Sequence, residues 1–208
     1  MADAKLVRPG RAGVQREGRL AREIIETVVL TLLIFFAVHF SVQPFRVDGP
    51  SMQPGLHTDE LVLVNLLTYD FSAPQRGDVI VFHPPTSVDA VTDGSVQYVK
   101  RIIGVPGDTV TITPTAVYVD GKKLNEPYIS PLQPGANENP VALNAVLGKD
   151  EYFVMGDNRL NSSDSRYFGA ITKRSIIGKA EVVMWPLNSF TWLPNYSTVF
   201  AGVHPGGK

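Results

Sequence analysis

Three short stretches combine residue types and spacings that could do chemistry: "VDGPSMQPGL" (47–56), "VQYVKRIIGV" (96–105) and "GDNRLNSSDSR" (156–166). A serine hydroxyl becomes a nucleophile only beside a base, and histidine is the usual one. The four histidines offer none. His39 lies in an apolar run, His204 in a Gly-Pro tail, His57 in a loop, and His83 before Pro-Pro at a strand end. No G-x-S-x-G turn occurs, which leaves an α/β-hydrolase arrangement unsupported. With no cysteine there is no thiol nucleophile, disulfide or thiolate metal site. Arg159 stands where an EF-hand pattern needs Asp or Asn, and H-E-x-x-H is absent, so neither a metal nor a cofactor is expected.

Lysine is the remaining base. Period-two alternation in "VQYVKRIIGV" puts Tyr98, Lys100 and Ile102 on one face of a strand and Val99, Arg101 and Ile103 on the other. If the first face is the inner one, Lys100 sits among apolar neighbours, and desolvation disfavours its ammonium form. Moving from about 10.4 to about 8 requires roughly 3 kcal/mol of selective destabilisation of the charge, within what burial supplies. Arg101 cannot take this role, because a guanidinium keeps its proton. Taken singly, each signal has a plainer reading: a strand lysine that snorkels into water, a turn serine beside proline, and a polar loop rich in turn formers.

These residues have to be positioned by a mainly β fold behind one apolar helix. Hydrophobic residues make up 44% and charged residues 19% of 208, enough for a core, and the net charge of −1 gives no basic field for nucleic acid. From Ile24 to Val42 the chain is apolar, interrupted mainly by Glu26, two threonines and His39, matching the roughly 20 residues of a membrane span. Residues 1–23 carry six basic residues against three acidic ones, whereas Val47–Gln75 has no Lys or Arg. The positive-inside rule therefore keeps the N-terminus cytoplasmic and exports the rest. A cleaved secretory signal shares this pattern, but the run exceeds a signal core and "HFSVQPFRV" lacks a small-x-small site.

After the span, "LVLVNLL" (61–67), "DVIVFH" (78–83), "VQYVKRIIGV", "DTVTIT" (108–113), "AVYVDGKKL" (116–124), "EYFVMG" (151–156) and "KAEVVMW" (179–185) read as strands. Asp120-Gly121 is a hairpin turn signal. Ser130 to Asn144, with three prolines, reads as an excursion loop. The expected organisation is a basic tail (1–23), a transmembrane anchor (24–43), an antiparallel β-barrel or folded sheet (44–106 and 151–208), and a small β-rich insertion (107–150).

Taken together and in order after one span, "GPSMQPGL", "YVKRIIGVPGD" and "GDNRLNSSDSRYFG", with "LNEPYI" (124–129) and "GKAEVVMWPLN" (178–188), strongly resemble the bacterial-type type I signal peptidases. The resemblance implies a membrane-bound endopeptidase that removes signal peptides from exported preproteins after small residues of Ala-x-Ala type. It makes Ser51 the nucleophile and Lys100 the neutral general base. It makes Ser162 the hydroxyl that orients the amine, with Asp164 and Arg166 holding the loop of Ser162. Asp157 becomes a structural acid, with Arg166 as its candidate partner. The implied partners are preprotein signal peptides, the lipid bilayer and the protein export machinery, in a bacterial plasma membrane or a thylakoid membrane.

Two positions depart from the family pattern. Gly49 occupies the place where some members carry a serine that helps bind the oxyanion, so the Ser51 N–H becomes the leading donor and Pro50 supplies none. Leu160 replaces an acidic or polar residue, which weakens a charge network at that point. Phe45, Met52, Trp185 and Trp192 are candidates for a membrane-touching rim, with core packing as the alternative. A self-cleaving LexA-like regulator shares Ser-Lys chemistry but needs a soluble DNA-binding module where this chain has a span. A membrane-anchored scaffold without catalysis is the third class.

Overall fold

The apolar run folds as one helix, α1 (Ala12–Ser41). A computed structural model describes residues 12–85, 96–129 and 142–203. Most of the excursion loop expected over 130–144 lies outside these, as do His204 and residues 1–11 of the basic tail. Within α1, Arg22–Ser41 is the one stretch among the described residues long and apolar enough to cross a membrane. Four of its polar side chains find hydrogen-bond partners inside the helix. Arg22 Nε donates to Glu26 Oε1 at 2.6 Å, and the Thr27 and Thr31 hydroxyls each donate to the carbonyl four residues back at 2.8 Å. The helix stops at Ser41, short of the boundary expected at residue 43. Pro44 supplies no N–H and disfavours a helical Gln43.

The chain runs instead into a strand that alternation had not indicated, β1 (Val42–Arg46). Among the described residues it pairs only with β2 (Leu61–Asn65), and an edge strand is where a proline is tolerated. A short helix, α2 (Thr68–Phe71), leads to β3 (Val79–Phe82) and β4 (Tyr98–Gly104). Next come β5 (Thr109–Thr113), β6 (Ala116–Val119), β7 (Lys122–Lys123) and β8 (Leu143–Val146). The last part comprises β9 (Glu151–Met155), α3 (Ser165–Phe168), β10 (Ile171–Thr172), β11 (Ile176–Trp185) and β12 (Thr191–Trp192).

Every described pairing is antiparallel. The larger sheet has the order β1-β2-β11-β3-β4-β9-β10, with β12 beside β11. It is open at both ends, and register shifts along β11 against β2 and β3 mark the bulges that bend such a sheet. The smaller sheet, β7-β6-β5-β8, is built entirely from Thr109–Val146. Its β8 begins inside the stretch read as loop; pairing with β5 supplies hydrogen bonds that no local pattern announces. At its hairpin, Asp120 and Gly121 have φ of +49° and +77°, the positive values a two-residue primed turn requires.

Both faces of β4 are covered. Tyr98 and Ile102 pack with Ile80, Phe82 and Val154, while Val99 packs with Val62, Val64, Val81 and Val183. A third cluster joins Ile103 and Phe153 to Val110, Val117 and Val119 of the smaller sheet. β4 is thus a central strand with no solvent face along most of its length, and any lysine on it is desolvated.

Candidate active site

The segment "VDGPSMQPGL" is a tight loop held at its base and pinned from inside. Val47 N–H donates to the Glu60 carbonyl and Asp59 N–H to the Val47 carbonyl, each at 2.9 Å. Gly49 has φ +87°, a left-handed conformation that a side chain resists, which favours glycine at this place. Val47, Met52 and Leu56 are each buried in the core of the larger sheet. The membrane-rim assignment of Met52 is therefore corrected: at 1% exposure it is an internal anchor, fixing the residue next to Ser51. The Ser51 N–H donates to no acceptor among the described residues and is available to a ligand.

Lys100 reaches this loop from β4, where it pairs with Ile80. Its Nζ lies 2.8 Å from Ser51 Oγ and 3.0 Å from the Val99 carbonyl oxygen, and the residue is 4% exposed. Burial lowers its pKa from the ordinary 10.5 to about 8; Asp164 and Asp157 pull it partly back up, and Arg166 pushes it down. An amine of this kind is substantially neutral near pH 8 and can accept a hydroxyl proton.

The Gly-Asp-Asn segment closes the site from the end of β9. Asn158 N–H donates to the Ser51 carbonyl at 3.0 Å and its side-chain amide to the Pro50 carbonyl at 3.1 Å. Gly156 is wedged so tightly that a Cβ there would stand 2.4 Å from the Ser51 carbonyl oxygen and 2.3 Å from Ser162 Oγ. Asp164, fully buried, accepts from the Gly156 N–H at 2.9 Å, the Ser162 hydroxyl at 2.7 Å, and Arg166 Nε and Nη2 at 2.8 and 2.9 Å. It also caps α3 through the Arg166 N–H.

Two expected partnerships come out differently. Asp157 pairs with Arg101, at 2.9 and 2.7 Å, and not with Arg166, because Arg101 points from β4 toward β9 while Arg166 is taken up by Asp164. The Ser162 hydroxyl donates to Asp164, and the amine of Lys100 has Ser51 and the Val99 carbonyl as its hydrogen-bond partners. A carboxylate is the stronger acceptor, and it lies two residues away in sequence. Leu160 is half exposed, and the ion pairs form without it. Residue-by-residue reading named Arg101 only as unfit for a base and Arg159 only as breaking a calcium-loop pattern, and it passed over Asn158 and Gly156. The motif "GDNR" carries part of the resemblance, but nothing local says which groups its side chains meet.

A cavity of about 350 Å³ opens over Ser51 and Lys100, between Phe45 and Asp48 on one side and Gln97, Tyr98 and Val99 on the other. Among the described residues, β9 pairs with β4 only from Arg101 onward, and β1 has a partner on one edge only. Leu61–Asn65 contributes nothing to the lining of the cavity, since Val62 and Val64 face the core.

A serine beside a buried amine, on an antiparallel β unit with an open-edged cleft, is equipment for acyl transfer, and the class indicated is a serine peptidase. Residues 20–185 match the family described as signal peptidase, peptidase S26. Signal peptidase I T of Bacillus subtilis (strain 168) is 39% identical over 173 residues, covering 80% of this chain and 84% of that one. Signal peptidase IB of Staphylococcus aureus (strain MRSA252) is 36% identical over 184 residues, covering 81% and 91%. A crystal structure of a signal peptidase I from Enterococcus faecalis V583 is 31% identical and covers 52% of this chain and 97% of that one, with a TM-score of 0.41. The chain belongs to the signal peptidase S26 family; it is a serine endopeptidase of the signal peptidase I type, acting on signal peptides of preproteins.

Proposed function

We propose that this chain cuts preproteins after small residues of Ala-x-Ala type with Ser51 as nucleophile and neutral Lys100 as general base. The observation that carries this is the 2.8 Å contact between a 4% exposed amine and the serine hydroxyl. Lys100 takes the Ser51 proton as Oγ bonds to the scissile carbonyl carbon, and the carbonyl electrons move to oxygen. The Ser51 N–H donates to that oxyanion. On collapse, the C–N bond breaks and the Lys100 ammonium returns the proton to the leaving amine. Water, deprotonated by the same amine, then hydrolyses the acyl-enzyme. No acid touches Lys100 directly, which suits a base that must lose its charge.

The signal peptide's cleavage region lies extended between the two open edges, adding as a strand along Gln97–Val99 and the end of β1. Alternate side chains then enter the cleft on one face, which suits small residues at first and third positions before the cut.

The acid limb of the rate profile follows from Lys100. Cleavage of a preprotein by the detergent-solubilised protein is expected to rise with pH and level off above about 8, where the amine is neutral. A profile level from about pH 6 upward would contradict this base.

The orientation proposed is N-terminus cytoplasmic, with the β unit on the exported side of a bacterial plasma membrane or a thylakoid membrane. It is supported by the basic residues before α1 and their absence from Val47–Gln75. Trp185 and Trp192, 54% and 68% exposed, stand with Leu187 and Phe190 as an exposed apolar group that suits a bilayer interface. They are the chain's two tryptophans. Their fluorescence in proteoliposomes is expected to be quenched by lipids brominated near the headgroup, and quenching equal to that in unbrominated lipid would rule this contact out.

A further inference from the structure

The segment "NEPYI" (125–129), inside the β-rich insertion just after β7, holds a buried carboxylate that the chemistry above does not use. Its position is fixed by the smaller sheet: Leu124 N–H donates to the Val117 carbonyl at 2.9 Å, and Leu124, Tyr128 and Ile129 are buried in that sheet's cluster. Between them Glu126 turns inward, its side chain 6% exposed, and receives both terminal nitrogens of Arg159, Nη1 at 2.9 Å to Oε2 and Nη2 to Oε1. Arg159, 1% exposed, uses its Nε to donate to the Gly156 carbonyl at 3.2 Å. Gly156 is the residue with no slack against Ser51 and Ser162.

The same segment reaches the lysine. The Tyr128 hydroxyl donates to Glu126 Oε1 at 2.8 Å, and burial together with the Glu126 charge pushes its pKa well above the usual value, so it stays a donor. The Tyr128 ring carries the Arg101 guanidinium at 4.5 Å, and Arg101, next to Lys100 on β4, holds Asp157. A ring therefore closes: Glu126, Arg159, Gly156-Asp157, Arg101, Tyr128 and back to Glu126. One side is continuous with the serine loop and the other with the lysine strand.

We propose that Glu126 is a positioning residue for the Ser51–Lys100 pair, acting through Arg159, and that this ring couples the smaller sheet to catalysis; the proposal rests on the Ser-Lys reading above. Without the Glu126 charge, Arg159 is a buried, uncompensated cation that draws away from Gly156, and the corner touching Ser51 loosens. Substrate contacts along the strand edges stay as they are, so the loss falls on turnover.

The test is steady-state cleavage of a preprotein by the full chain in detergent, for Glu126→Gln, Arg159→Met and the double variant Glu126→Met/Arg159→Met. Glu126→Gln is expected to lose about tenfold in kcat with KM held within about twofold. The double variant, with no buried charge left, is expected to fold with a parental far-UV spectrum and to lose no more than the worse single variant. A folded Glu126→Gln or double variant with parental kcat would overturn the proposal, as would single losses that multiply in the double. If Glu126 were purely stabilising, Glu126→Gln would lower the melting temperature and leave kcat per folded molecule unchanged. Ser51→Ala in the same assay separates the two claims: turnover by that variant sinks the Ser-Lys reading, whereas an inert Ser51→Ala beside an unaffected Glu126→Gln sinks only the ring.

Discussion

Lys100→Met is expected to lose preprotein cleavage by roughly 10³-fold or more while melting at a higher temperature than the parent at neutral pH. The two effects share one cause. Burial lowers the Lys100 pKa in the folded chain to about 8, against an ordinary 10.5. Between those values the unfolded chain holds the extra proton, so stability rises with pH through this window. The penalty of burying the ammonium is complete below about pH 8 and gone above about 10.5; over that interval it amounts to something on the order of 3 kcal/mol. Methionine keeps the unbranched apolar stem and removes the charge, so the stability gain should be seen at pH 7 and shrink toward pH 10.5. Thermal melts at several pH values measure it. A Lys100→Met variant that cleaves at the parental rate would remove the base from the mechanism, and one that melts lower at pH 7 would contradict the desolvated amine.

Asp157→Ala is expected to be the most destabilising single substitution at the site, by about 3–5 kcal/mol, because it strands a buried guanidinium. Arg101 is 3% exposed and lies against both the Tyr128 and Tyr196 rings, donating to the Gly77 and Pro194 carbonyls as well as to Asp157. For a chain of this size such a loss corresponds to a fall of about 10 °C in melting temperature. Removing both partners, as in Arg101→Met/Asp157→Leu, should restore much of it, since no unpaired charge is left. Urea unfolding of the three variants gives the comparison. Losses below about 1 kcal/mol for Asp157→Ala would mean that water or another group already balances Arg101.

The sequence by itself determined most of the strands, because a period of two is written in consecutive residues, and "DG" dictates its own turn. Elimination left the lysine as the remaining base, and the resemblance of the three motifs in order to type I signal peptidases pointed to Ser51 and the Gly-Asp-Asn stretch. Local pattern failed where stabilisation comes from a distant partner. β1 contains a proline that argues against a strand until β2 is beside it, and β8 borrows its order from β5. Met52 looked like rim in a loop rich in turn formers, and only the fold makes it an internal peg.

The ion pairs were the least legible part. Asp157 has arginines at positions 101, 159 and 166 to choose among, and the one it takes is 56 residues away. Charge attracts without naming its partner, so the choice belongs to whichever group the packed strands aim at it. Lys100 meets Ser51 across 49 residues, and its lowered pKa exists only once both faces of β4 are covered. Sequence supplied the groups; chain packing supplied the dry surroundings that turn an ordinary ammonium into a base.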